Sequence, residues 1–248
     1  MSRRLIRNTT IILLGASSVY AYAETRRLSK TYPLRPATGP YYNQTLLTSQ
    51  ESTRYFPSEG TDILVARVSR RALVSAAQKL GLNDATSLNA TWARTFLEAP
   101  IISLEGQVIG GSKDRGDTGA SGFHPGQRLL NGAFKVEEPP SRTDPLVVSW
   151  SMPEEPVSFF EKIAAWGYPW RLMSGGRHSI GVVEIPDSDG NEVEVIFGCA
   201  HEYERWNRAN GKEDGKVIPD WTGWCHRMYG RLVLDDAVRQ LMKNSGDN

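Results

Sequence analysis

The chain has 248 residues, 40% of them hydrophobic and 23% charged, with 29 basic and 28 acidic side chains and a formal charge of +1. That much apolar material supports a core and excludes global disorder. The balanced charge leaves no electrostatic footprint for nucleic acid, and no nucleic-acid partner is expected.

Residues 1–23 form a separate unit. Arg3, Arg4 and Arg7 precede an uncharged, mostly apolar run of about 15 residues, shorter than the ~20 a membrane span needs. No acidic residue appears before Glu24. Three readings stay open: a secretory signal peptide with a cleavage site at Ala21-Tyr22-Ala23, an Arg-rich mitochondrial presequence, or a short uncleaved anchor with Tyr20 and Tyr22 near the interface. The expected address is therefore membrane-associated or secretory, with mitochondrial as the alternative, and residues 5–23 are the expected membrane contact. Residues 24–60 read as a Pro-rich linker or clasp, because Pro33, Pro36, Pro40 and Pro57 interrupt any periodicity. Tyr41, Tyr42, Tyr55 and Phe56 are placed to pin it to the body.

A domain is expected over 61–243. Thr61 to Ser69 is a strand, followed by a helix with Leu73, Ala76, Ala77 and Leu80 in period and Gly81 as its stop. A second helix starts near Asn89, a candidate cap, with Trp92, Phe96 and Leu97 on one side. Pro100 punctuates it and suits the first position of a further helical stretch carrying Ile101, Leu104, Glu105 and Val108. A Gly-rich charged loop follows. Strands are then expected in 128–139 and 145–153, with 157–173 ambiguous between helix and loop. Two longer strands flank a turn at Asp189-Gly190. After a polar loop comes the strongest helix, from Asp220 as N-cap, with Trp221, Trp224, Cys225, Met228 and Leu232 as a stripe joined by Ala237, Val238 and Leu241. Gly230 weakens it and allows a bend. Residues 244–248 read as a disordered tail.

Strand, helices, strands and a closing helix describe an α+β fold in which a curved antiparallel sheet packs on a long C-terminal helix. The element order, the F-x-P-G element at Phe123 to Gly126, the VVSW strand and RHSIGVVEI before a second strand resemble the helix-grip superfamily, which includes START-type lipid-binding domains and polyketide cyclases. The leader-plus-domain layout also resembles that of certain fungal proteins. The resemblance covers about 61–243. It implies a cavity between sheet and helix for a small apolar molecule or lipid, and no particular reaction.

Period 2 places Val193, Val195, Phe197, Cys199 and His201 on one inward face, whereas the strand from Arg177 to Ile185 has apolar residues on both faces and reads as central. The expected ligand pocket is lined by Trp92, Phe96, Val195, Phe197, Trp224 and Met228, with Arg177, His178 and His201 as its polar contacts. In an enzyme of the same fold, a cyclase, isomerase or hydrolase, His178 or His201 would move a proton with Glu98 or Glu105 as partner. Arg177 would stabilise an oxyanion. A third class is a non-catalytic structural protein at a membrane. Cys199 and Cys225 allow one disulfide. Cys199, His201, Cys225 and His226 suit zinc by type but not by spacing, so no metal and no cofactor are expected. Ser174 to Arg177 reads as a turn rather than a phosphate cradle.

Overall fold

The structure is a computed structural model that describes residues 19–49, 53–57, 60–82, 88–185, 189–205 and 216–246. The leader expected at 1–23 lies mostly outside the described residues; its last five residues open helix α1, described over 19–31. The elements that follow are β1 (Leu34–Arg35), α2 (Gln44–Leu47), β2 (Arg54–Tyr55), β3 (Thr61–Ser69), α3 (Arg70–Lys79), α4 (Leu88–Leu97), α5 (Pro100–Gly110), β4 (Arg128–Leu129), β5 (Phe134–Glu138), β6 (Leu146–Ser151), α6 (Glu154–Ala165), β7 (Gly175–Glu184), β8 (Glu192–Glu204) and α7 (Asp220–Ser245).

Among the described residues eight strands form one open antiparallel sheet in the order β1-β3-β8-β7-β6-β5-β4, with β2 paired to the far end of β8. β7 is central, between β6 and β8, as its two apolar faces predict. Asp189 and Gly190 both take positive φ at the β7–β8 turn, the conformation a tight hairpin needs. The chain is thus α+β, with an antiparallel sheet and a long C-terminal helix.

Both faces of the sheet are covered. On one face Leu64, Ala66 and Val68 of β3, with Val193, Val195, Phe197 and Cys199 of β8, meet the buried sides of α3, α4 and α7. On the other face Ile63, Val65, Val183, Ile196 and Ala200 are covered by Leu46, Leu47, Tyr41 and Phe56. The described parts of the Pro-rich segment, 24–49 and 53–57, therefore lie against the body of the fold, as a clasp would. Tyr41 donates a hydrogen bond to the Glu194 carboxylate and Leu46 is fully buried; Tyr42 stays exposed.

Helix α7 runs unbroken through Gly230, without the bend the sequence allowed. A β-carbon there would lie 2.8 Å from Leu64 Cδ1, so the glycine lets the helix approach β3 closely. Its buried side differs from the expected stripe: Met228, Arg231, Val233, Leu234, Ala237 and Leu241 face inward, while Trp221, Trp224, Cys225 and Leu232 are exposed. Of the apolar series from Trp221 to Leu232, Met228 alone turns inward and the rest mark the outer face. Pro219, not Asp220, occupies the N-cap. The helix also extends to Ser245, through the first two residues of the expected tail. It packs chiefly on α3, α4, α5 and β3, while α4 covers β7 and β6, so two helices share the sheet.

Helix α1 and the residues that follow it pack against α7. Arg27 and Tyr32 Oη reach Asp235, Ser29 meets Met228, and Arg231 donates to the Tyr32 carbonyl. Asn89 is inside α4 rather than at its cap; its buried amide donates to Ser141 O and accepts from Val182 N, tying α4 to β7. Segment 154–165 resolves as helix, and β4 and β5 are separated by a short turn with Leu130 and Asn131 at positive φ. Among the described residues no helix is long and apolar enough to cross a membrane.

Candidate functional site

Strand register builds the floor of the site. Antiparallel partners share a face, so two cross-strand rows can be read directly. One row is Trp150, Gly176 and His201 on β6, β7 and β8; the next is Val148, His178, Cys199 and Asp62 on β6, β7, β8 and β3. Both lie on the face that carries Phe197, beneath the N-terminal half of α7. Polar side chains are thus concentrated at one end of an otherwise apolar surface.

Gly176 makes the first row work. A β-carbon there would stand 2.4 Å from Ala200 O and 2.8 Å from Trp150 Cζ2. The indole lies across the bare backbone and reaches both histidines, with ring centroids 6.1 Å from His178 and 6.3 Å from His201. The glycines after Ser174 therefore open a strand and give the indole its seat; they form neither a turn nor an anion cradle.

From above, α7 contributes His226. Its Nε2 is 3.2 Å from His201 Nε2, and the rings cross at 74°. One imidazole donates and the other accepts, which requires the accepting ring to be neutral. Burial pushes His201 down to about 3, helped by the charge of His226, and burial likewise lowers His226. His178 sits edge-on to Phe134 and Phe197, at 5.3 and 5.1 Å, and burial pushes it down to about 3 as well. All three imidazoles are thus neutral at neutral pH.

Beside His201 the sheet and α7 part to leave a cleft of about 280 Å³, bordered by Asp62, His201, Tyr203, Ile218, Pro219 and Arg227. Burial raises Asp62, against the opposing pull of Arg227 and Arg231. The Tyr203 hydroxyl accepts from Ile218 N, and burial pushes it up to about 12, so it keeps its proton. A carboxylate, a guanidinium, a phenol and an imidazole from three elements thus converge on one opening.

The residues singled out from the sequence divide in two. His178 and His201 are brought together on the floor. Arg177 is not with them: one position from His178, it points through the opposite face, where its guanidinium donates to the Thr45 and Thr48 carbonyls and lies over Phe56. Glu98 and Glu105 do not share a helix, because the chain breaks at Ala99 and Pro100. Glu98 binds Arg94 and Thr118, and Glu105 accepts from Tyr229. Of the expected pocket residues, Trp92, Phe96 and Phe197 pack ring against ring at 5.9 and 4.7 Å, with Val195 fully buried beside them; Met228 is buried and Trp224 is half exposed. None of these six borders the cleft. The disulfide that the two cysteines allowed does not form: both thiols are free, Cys199 buried on β8 and Cys225 exposed on α7. Among the described residues no group of three or more His, Cys, Asp or Glu side chains is placed to hold a metal.

Sequence reasoning missed Asp62, Trp150, Tyr203 and Arg227. For Asp62 a signal existed, since it shares the inward period of Leu64, Ala66 and Val68 and is the one charge in that series. No protein-family model matches the chain, nor does any curated protein or solved structure.

Proposed function

We propose that the protein binds a small molecule between its sheet and the N-terminal half of α7, with the cleft beside His201 as the entrance. One observation carries the reading: Asp62, the His201 and Tyr203 pair, and Arg227 come from three separate elements yet border a single opening at the low end of ligand-pocket size. The order of strands supports a helix-grip architecture. The first long strand, β3, pairs with the last, β8; helices stand between β3 and the meander β4 to β8, and a long helix closes the chain. A small apolar molecule or lipid with a polar group is the ligand class this architecture favours. A membrane-associated setting, through residues 5–23, belongs to the same proposal.

A second reading is an enzyme of the same fold. It is favoured by a neutral imidazole and a carboxyl of raised pKa on one cleft, an arrangement suited to proton transfer. Asp62 takes the part expected of Glu98 or Glu105. Nuclear magnetic resonance of the full chain against a library of small apolar molecules with one polar group tests the first reading. Shifts should cluster at Asp62, His201, Tyr203 and Arg227; a library that leaves these four unmoved refutes it. Turnover that survives both Asp62→Asn and His201→Ala would remove the second.

A further inference from the structure

Three ring nitrogens near this cleft are buried and without a hydrogen-bond partner among the described residues: Trp150 Nε1, His178 Nδ1 and His226 Nδ1. They belong to one contiguous set of rings, in which Trp150 touches His178 and His201, and His201 touches His226. Buried polar groups are normally paired, and leaving one unpaired is costly. Three such groups in neighbouring rings call for a shared occupant. Each of the three residues still keeps some accessible surface while its nitrogen is shielded.

The chemistry of the rings selects the occupant. The indole Nε1–H can only donate, and a neutral imidazole Nδ1 can donate in one tautomer. The ligand must therefore offer an acceptor oxygen. Around His178 stand Phe134, Trp150, Phe197 and the neutral histidines, with no cation among these ring contacts; Arg227 borders the outer cleft, and its charge is felt at His226. A carboxylate or phosphate driven to the Trp150 and His178 rings would lose its hydration without touching a cation. A ketone or alcohol oxygen on a hydrocarbon body meets no such penalty.

We infer that the Trp150, His178 and His226 rings form an inner subsite for the neutral oxygen of an apolar carbonyl or hydroxyl compound. The inference rests on the cleft being the entrance, and it narrows the ligand from small molecules in general to uncharged oxygenated ones.

Four probes that share one ring test this on the isotope-labelled full chain: cyclohexanone, cyclohexanol, cyclohexane and cyclohexanecarboxylate. The Trp150 indole resonance is assigned by its loss in Trp150→Phe. The ketone and the alcohol should shift the Trp150 indole and His178 ring signals saturably. Cyclohexane and the carboxylate should leave those signals still. Trp150→Phe should weaken ketone binding roughly tenfold, the equivalent of one hydrogen bond. His178→Phe keeps an aromatic ring against Phe134 and Phe197 and should weaken it similarly, which guards against a misfolded Trp150 variant. Carboxylate shifting the indole as strongly as the ketone overturns the inference. So does an indole silent to every probe, its partner then being water alone. If shifts appear only at Asp62, Tyr203 and Arg227, the inner subsite falls while the entrance stands; silence at both places removes the two together.

Discussion

Acidification should loosen this fold through its histidines before its carboxylates begin to titrate. His178 and His201 are each pushed by burial from an ordinary 6.5 to about 3. Between those values the unfolded chain binds protons that the folded chain refuses, so stability rises with pH through that window and falls as the medium is acidified. Above the unfolded value of 6.5 neither residue contributes a slope. Below it, each residue costs about 1.4 kcal/mol per pH unit. From about pH 6.5 to about pH 5, above most carboxylate titrations, one histidine removes about 2 kcal/mol. The pair removes somewhat less than double, because both rings are close to His226. A domain of this kind has on the order of 5–15 kcal/mol to lose. Urea unfolding at several pH values across the window measures the effect. The control is His178→Phe, which keeps the aromatic contacts and discards the titrating group; it should flatten the slope by about one histidine's share. Midpoints that do not move with pH, or a variant with the slope of the parent, would refute the claim that these rings are buried and neutral.

Four further outcomes follow from particular contacts. Gly176→Ala drives a β-carbon into the Ala200 carbonyl and the Trp150 ring; it should lower stability by about 1–3 kcal/mol in denaturant unfolding and change the near-ultraviolet signal of the indole. Trp92→Ala empties a fully buried site and removes the indole donor to Ile196 O, so a loss of about 3–5 kcal/mol is expected in the same assay. Native thiol titration should count one fast-reacting cysteine, Cys225, with Cys199 reacting only on unfolding, because burial raises its thiol and removes access. Arg177→Met should destabilise the fold by freeing the Thr45 and Thr48 carbonyls while leaving probe shifts at Trp150 unchanged, since it faces the other side of the sheet.

Much of the strand framework was legible because its signals are local. Alternation along β8 sets Val193, Val195, Phe197, Cys199 and His201 on one face, and the structure keeps that face together. The two-sided apolar pattern of β7 marks a central strand. Helix faces were harder. In α7 the tryptophans at 221 and 224 have the spacing of a buried stripe but occupy the outer face, because Gly230 and Arg231 turn the opposite side toward β3 and Tyr32. Arg177 misled for a related reason: adjacent strand residues point to opposite faces, so His178 and Arg177 could not both serve one pocket. The partnership of Asp62 with His201, and of Trp150 with both rows, depends on register between strands far apart in sequence. No window of sequence contains that information. In the early Pro-rich segment the aromatics suggested a clasp, but its prolines erase the periodicity that would have marked Leu28, Tyr32 and Leu46 as buried.

The seat of α1 against α7 ties the start of the described chain to its last helix. Arg27 and Tyr32 share the Asp235 carboxylate, and Arg231 donates to the Tyr32 carbonyl. The same helix brings His226 onto His201. It cannot lift from the sheet without breaking those bonds, so the early segment acts as a latch on the roof of the histidine cluster.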